Sequence, residues 1–216
     1  MEMRAGRARP VLRYGHVVLH QPCRPADSFG AELAGLVDDM FASMYAADGV
    51  GLAANQIGVR CRVFVYDCPD ATGARQAGHV VNPVLRFPAA LAAPAMGFEG
   101  CLSLPGQYAD VARAPVATVT GFDRDGRELT VTGTGVLARC LQHEIDHLDG
   151  VVYVDRLPED QRAEIVAAAV LGGLTGGRRS AQPPHPAVLP GTSSRRTASR
   201  RAWAAALNWH SLTWRA

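Results

Sequence analysis

Several features typical of secreted and membrane-bound proteins are missing from this 216-residue sequence. No apolar run approaches the roughly 20 residues that a helix needs to cross a bilayer, which argues against a transmembrane helix. The first 20 residues are basic but have no continuous apolar core, so a secretory signal peptide is not expected. The five cysteines are odd in number and widely spaced, which argues against a disulfide framework and indicates reduced thiols. We therefore expect a soluble, cytoplasmic protein.

Lysine is absent altogether, and acidic residues are absent from the last part of the chain. Residues 1–170 hold 15 arginines and all 20 acids, whereas residues 171–216 hold seven arginines and no acid. The second segment is also rich in Gly, Pro and Ser, so it cannot bury enough apolar surface to offset its ordering entropy. We predict one catalytic domain over 1–170 and a flexible, basic tail over 171–216.

Three segments have apolar residues at helical spacing. The first follows Asp27 and Ser28, which can cap a helix. The second runs from about Gly135 to Asp149. The third begins near Pro158 and carries acids in its first turn, as helix N-termini favour. These segments predict three helices in the domain.

Strand signals lie around the predicted helices. The stretches "RVFVYD" and "HVVNPVL" are rich in β-branched residues, and residues 115–132 predict a hairpin that turns at Asp125-Gly126. Residues 151–157 predict a further short strand or extended segment. The sequence therefore predicts an α+β fold, with antiparallel strands around a central helix.

The stretch "QHEIDH" on the second predicted helix carries metal-binding chemistry. Residues four apart share a helix face about 5.4 Å apart along the axis, so His143 and His147 can hold one ion. Glu144 is offset by about 100 degrees, close to the open side of that ion. In this H-E-x-x-H arrangement two imidazoles bind a divalent metal and the glutamate acts on its water. We therefore predict a metal site on the central helix.

The third metal ligand has two candidates. One class of such proteins continues with H-x-x-G-x-x-H, but Tyr153 stands where its last histidine would be. A zinc endopeptidase of another class would use Glu164 from the third helix. The favoured candidate is Cys101, in "GFEGCLSLPG", because a thiolate and two imidazoles form a tetrahedral site with one open position.

Three separated stretches together resemble one family. "GVGLAANQ" (49–56), "EGCLS" (99–103) and "QHEIDH" (142–147) are similar in order and spacing to the signature motifs of the peptide deformylases. The resemblance covers roughly residues 10–170. It implies a metal-dependent hydrolase that removes the formyl group from formylmethionyl nascent polypeptides and releases formate. It also implies Cys101, His143 and His147 as metal ligands and Glu144 as the acid–base residue.

The same resemblance implies donors for the negative oxygen of the tetrahedral intermediate. These are the side-chain amide of Gln56 and the backbone N–H of Leu102. Gly49 and Gly51 would let the backbone come close to the substrate, and Gly51 is expected to offer it a main-chain hydrogen bond.

An apolar pocket for the methionine side chain is also expected. By family position its candidates are Val50, Cys140 and the methylenes of Glu99. Cys140 could equally be an ordinary core residue. Asp146, on the metal helix, is expected to pair with Arg113 and fix the helix against the sheet.

The metal and the partners follow from the same resemblance. A Cys/His/His set suits Zn and Fe(II) alike; we expect Fe(II) in the cell, with Zn, Ni or Co in purified protein. Formylmethionyl nascent peptides are the expected partners, and no DNA partner is expected. The arginines of 171–216 could contact ribosomal RNA phosphates, although a mobile, solvated extension is the simpler interpretation.

Overall fold

A computed structural model describes residues 6–88 and 93–174 of the chain. The described residues form three α-helices and seven β-strands. The helices are α1 (Ala31–Ala46), α2 (Gly135–Leu148) and α3 (Glu159–Leu174). The strands are β1 (Gly51–Ala53), β2 (Val63–Pro69), β3 (Arg75–Arg86), β4 (Ala95–Cys101), β5 (Leu104–Arg113), β6 (Val116–Phe122) and β7 (Glu128–Thr134). Among the described helices, none has the combined length and apolar character that a bilayer span requires.

The strands form two antiparallel sheets. The larger has the order β1-β2-β3-β6-β7, and the smaller consists of β4 and β5. Helix α2 packs against the larger sheet, and side chains from the smaller sheet reach its polar residues. The predicted α+β fold, with antiparallel strands around a central helix, is confirmed.

Strand β2 contributes side chains to two apolar cores, one on each face of the larger sheet. Successive side chains of a strand point to opposite faces, and nearly all of β2 is buried. Phe64 and Tyr66 belong to the apolar cluster that contains Leu141 of α2. Val63 and Val65 belong to the cluster on the other face, which α1 covers with five buried side chains: Leu33, Val37, Met40, Phe41 and Met44. The sheet is therefore sandwiched between α1 and α2.

Several local predictions are confirmed and others are wrong. The hairpin of β6 and β7 turns at Asp125 and Gly126, where Gly126 has a φ of 83°. The first helix begins at Ala31, after Gly30, and not directly after Ser28. The short strand predicted at 151–157 is instead a 3₁₀ turn at Tyr153–Arg156. Strands β4 and β5 were not predicted.

The predicted boundary between the domain and the tail, at residue 170, stays a prediction. Helix α3 runs to Leu174, four residues past the expected end of the domain at 170. The rest of the predicted tail, 175–216, lies outside the described residues, so its flexibility stays a prediction.

Candidate metal centre

Helix α2 places the H-E-x-x-H side chains in the interior. It begins after Thr134, and Gly135 has a φ of 57°, a left-handed conformation that glycine adopts without strain. The rings of His143 and His147 lie one turn apart, with centroids 5.0 Å from each other, and both side chains are buried. The predicted shared helix face is present.

Cys101 reaches these rings from the end of β4. The register of β4 and β5 shifts between Gly100 and Cys101, an irregularity that re-aims a side chain. The Cys101 Sγ atom lies 3.1 Å from Nε2 of His147. The ligand atoms of Cys101, His143 and His147 all lie within 4.8 Å of one another, and all three residues are buried. Three donors from two distant parts of the sequence therefore converge on one point.

The thiol of Cys101 is prepared to act as a thiolate. Burial alone would raise its pKa, but the nearby rings of His147 and His143 lower the pKa of Cys101 well below its ordinary value. The thiolate, rather than the thiol, is the form that binds a metal. The electrostatics of the site thus suit a ligand role.

Glu99 differs from its predicted place in the methionine pocket. Its side chain is fully buried and does not line the cavity beside the metal cluster. One carboxylate oxygen lies 3.0 Å from Nδ1 of His143, and Arg113 and Arg139 also donate to the carboxylate. Burial works against the charge of Glu99, but the hydrogen bonds from His143 and Arg113 keep its pKa below the usual value. A charged carboxylate only accepts, so Nδ1 carries the proton and Nε2 is left to bind a metal.

Asp146 has the partner that the sequence predicted. Arg113 Nη1 donates to Asp146 at 2.6 Å, and Arg156 also donates to the same carboxylate. Since Arg113 binds Glu99 of β4 as well, this guanidinium ties α2 to the smaller sheet. The expected pairing of Asp146 with Arg113 is confirmed.

Glu144 is buried next to the metal cluster. Burial raises the pKa of Glu144 to about 7, a value that suits a group that both takes and gives a proton near neutral pH. A Cβ atom on Gly51 would lie 2.3 Å from Glu144 Oε1, so the glycine makes room for this carboxylate. Oε2 of Glu144 is buried and has no hydrogen-bond partner among the described residues. The sulfur of Cys101 and the two imidazoles fit a divalent metal with one open position, and this carboxylate lies beside them.

Gln56 lies on the other side of Cys101. Its Oε1 accepts a hydrogen bond from the Ala53 N–H at 2.9 Å, which fixes the orientation of the amide. The Nε2 atom then points to Cys101 Sγ at 3.5 Å and to Ser103 Oγ at 3.3 Å. Leu102 follows Cys101 in the turn between β4 and β5 and lines the same cavity as Gln56. The structure therefore brings both predicted donor residues to the cluster.

A cavity of about 760 Å³ opens onto Cys101, His143 and Glu144. Val50 and Cys140, predicted for the methionine pocket, line it, and so does Gly51, predicted to hydrogen-bond the substrate. Gly49 also lines it, and a Cβ there would lie 2.6 Å from a methyl carbon of Leu102. The cavity thus gathers the predicted site residues except Glu99 and His147, and His147 joins the metal cluster through its contact with Cys101.

The alternative third ligand lies elsewhere. Glu164 is exposed on α3 and lines a separate cavity with residues of β4 and β5. Within the described residues, the metal-binding cluster contains Cys101 and not Glu164. The arrangement required for the alternative, a zinc endopeptidase, is absent from the described residues.

Sequence reasoning missed some residues that support the site. Asn55 is fully buried and donates to the backbone oxygen of His147 at 2.5 Å. Arg139 joins Glu99 to the backbone of β5 through Val111. Asn55 stands beside Gln56 in "GLAANQ", so its motif offered a signal. No local pattern points to Arg139, because its contacts depend on the pairing of β4 with β5.

Comparison with known proteins agrees with this geometry. A family model described as polypeptide deformylase matches residues 8–163. Peptide deformylase 2 of Streptomyces avermitilis is 59% identical over 152 residues, which cover 70% of this chain and 81% of that protein. The crystal structure of a peptide deformylase from Legionella pneumophila matches with a TM-score of 0.70 at 38% identity, covering 78% of this chain and 96% of that one. The peptide deformylase from Ehrlichia chaffeensis in complex with actinonin matches with a TM-score of 0.71 at 30% identity, covering 77% of this chain and 98% of that one. The family model spans well over half of the sequence, and the chain therefore belongs to the polypeptide deformylase family.

Proposed function

We propose that Cys101, His143 and His147 hold the metal of this enzyme. As a member of the family, the chain is a metal-dependent hydrolase that removes the N-terminal formyl group from formylated peptides. The observation that carries the assignment is the 3.1 Å approach of Cys101 Sγ to His147 Nε2, beside the buried carboxylate of Glu144. The donor set offers one sulfur and two nitrogens, which suits Fe(II) and Zn.

Glu144 would move the protons of the reaction. A divalent cation bound at the cluster would supply Lewis acid chemistry, polarising the formyl carbonyl and lowering the pKa of a water molecule. Glu144 then accepts a proton from the attacking water and delivers it to the amide nitrogen as the C–N bond breaks. Its burial supports this role, because a carboxyl with a pKa of about 7 exchanges protons readily near neutral pH.

Gln56 and Leu102 would stabilise the oxyanion that forms on the formyl carbon. The fixed amide of Gln56 presents its N–H groups beside Cys101, and Leu102 lines the same space. Donors that are fixed before the reaction need no reorganisation when the charge develops. The backbone N–H of Leu102 is the second donor in this proposal.

The methionine side chain would lie against Val50, Gly51 and Cys140. Val50 and Cys140 are both buried, and both line the cavity. The thiol of Cys140 lies 3.6 Å from the Val50 carbonyl oxygen, so the two residues form one wall. Gly51, between that wall and Glu144, is placed to offer a main-chain hydrogen bond to the substrate.

We also propose Fe(II) as the metal in the cell, with Zn, Ni or Co as occupants after purification. Formylmethionyl nascent peptides would be the substrates, in the cytoplasm. All five cysteines are unpaired in the structure, which supports a reducing compartment. A contact of the arginines in 175–216 with ribosomal RNA stays a proposal that rests on their charge alone.

The direct test is formate release from formyl-Met-Ala-Ser by anaerobically purified protein, with metal analysis of the same sample. We expect about one metal ion per chain and stoichiometric formate, without internal cleavage of the peptide. Cys101→Ala should lose both metal and activity. Cys61→Ala, a control at a half-buried thiol outside the cavity, should keep both. Metal retained by Cys101→Ala, or internal cleavage without formate, would contradict the proposal.

A further inference from the structure

The N-terminal segment 9–14 forms part of the wall of the catalytic cavity. The Leu12 N–H donates to the Gln56 carbonyl at 2.8 Å, and the Tyr14 N–H donates to the Ser103 carbonyl at 2.9 Å. These two bonds fix the segment beside residues of the metal centre. Arg9 and Arg13 line the cavity, whereas Leu12 and Tyr14 do not. Two cationic side chains are therefore held beside the space that the substrate enters.

The two arginines differ in how their charge is balanced. Arg9 makes an ion pair with Asp39 at 2.7 Å, and its Nε also donates to that carboxylate. Arg13 is exposed, and its guanidinium has no hydrogen-bond or ion-pair partner within the described residues. The charge of Arg9 is thus largely compensated by the protein itself, whereas Arg13 remains available to a ligand.

Acidic groups around the same cavity do not compensate Arg13. Glu144 and Asp48 are the acids among the described residues that line it. Glu144 is buried beside the metal cluster, and Asp48 lies just after the end of α1. Asp48 is exposed and makes no ion pair with Arg13 among the described residues. The rim therefore carries charges of both signs, from separate elements.

We infer that Arg13 is a specificity-determining residue that selects formylated peptides with a carboxylate a few residues beyond the formylmethionine. The inference rests on the proposed function, because the metal centre fixes where the formyl end lies. The part of the peptide beyond its first residue must leave through the open rim, where an exposed, unpaired guanidinium can contact it. A guanidinium binds a carboxylate through two parallel hydrogen bonds. That carboxylate is either an Asp or Glu side chain or the free C-terminus of a short peptide.

The test compares kcat/KM for amidated formyl-Met peptides with Glu, Gln or Lys at the second, third or fourth position. At low salt we expect Glu to exceed Lys about threefold to tenfold at one or more positions, since exposed ion pairs are weak. The ratio should fall toward one at high salt, because the charges are screened. A parallel series of peptides with free and amidated C-termini shows whether the preferred carboxylate is a side chain or the C-terminus. A preference for either carboxylate supports the inference.

Variants assign the preference to Arg13. Arg13→Gln should bring the Glu/Lys ratio close to one, and Arg13→Glu should invert it. Arg86→Gln, at an exposed arginine that lines neither described cavity, should keep the wild-type ratio. Asp48→Asn should raise the Glu/Lys ratio, because it removes the repulsion between Asp48 and a Glu side chain of the peptide. Asn tolerates the φ of 54° at this position.

Two results separate this inference from the proposed function. If the wild-type protein fails to deformylate the Gln peptide, the proposed function itself fails. If the Gln peptide is deformylated but Glu and Lys peptides react equally, or if Arg13→Gln keeps the preference, only the role of Arg13 is overturned.

Discussion

Two cavities of the described structure differ in chemistry more than in size. The catalytic cavity measures about 760 Å³, and the cavity between α3 and the β4–β5 sheet measures about 1030 Å³. The smaller one is lined by buried ionisable or polar groups, including Cys101, His143 and Glu144. The larger cavity receives one acid from α3, Glu164, and this residue is exposed to solvent. The comparison shows that buried, specifically partnered ionisable groups mark a reactive site better than volume does.

Tyr108 lies between the two cavities and lines both. Its ring stacks on Phe98 at a centroid distance of 4.9 Å. A Cβ on Gly100 would lie 2.5 Å from the Tyr108 ring, so the glycine before Cys101 is required for this packing. The two spaces therefore share a wall, and matched substitutions on either side of it test their difference.

The largest contrast is expected between the two glutamates. Glu144→Gln should lower kcat by about 10²- to 10⁴-fold, because the proton shuttle is lost. Glu164→Gln should leave kcat and metal content unchanged. Both variants are measured by formate release at equal metal occupancy. A Glu144→Gln enzyme with near-normal kcat would refute the role of this carboxylate, and a large loss in Glu164→Gln would show that the second cavity takes part in the reaction.

A smaller contrast is expected between two glutamines. Gln56→Ala should lower kcat by about 10²- to 10³-fold, since it removes one donor to the oxyanion. Gln161→Ala, at an exposed glutamine of the second cavity, should have no measurable effect. The loss at Gln56 should appear in kcat more than in KM. If instead KM alone rises, Gln56 binds the substrate without stabilising the transition state.

Stability gives the third contrast, between a buried and an exposed arginine. The Arg113 side chain is 3% exposed and pairs with two acids, whereas Arg162 on α3 is 42% exposed. Arg113→Met should lower the free energy of unfolding by about 3 kcal/mol, because it leaves Glu99 and Asp146 buried with fewer partners. Arg162→Met should change it by less than about 1 kcal/mol. Urea unfolding of the metal-loaded proteins measures both, and equal effects would contradict the importance of the buried network.

Local patterns predicted the helices and the metal ligands well. His143 and His147 share a face because helical spacing is a local property, and the apolar residues of α2 recur at the same spacing. The hairpin of β6 and β7 was predicted because Asp125-Gly126 is a strong local turn signal. Cys101 was found through the resemblance of its surrounding motif, since nothing local to one cysteine shows that it meets two histidines.

The failures involve contacts between distant residues. Strands β4 and β5 hold Gly, Pro and charged residues, so their β propensity is weak, and their pairing depends on tertiary packing. Glu99 was expected to contribute methylenes to a pocket, but Arg113 and Arg139 approach it from other elements and turn its carboxylate to His143. No sequence pattern predicted that the segment with Arg13 lies beside Gln56, because two backbone hydrogen bonds set its position.

The most direct test of the metal centre is X-ray absorption spectroscopy of the zinc-loaded protein. We expect one sulfur at about 2.3 Å and two imidazole nitrogens at about 2.0 Å, with the remaining position taken by a light atom. In Cys101→Ser the sulfur contribution should disappear. A wild-type spectrum with nitrogen and oxygen ligands alone, or a sulfur that persists in Cys101→Ser, would contradict the site described above.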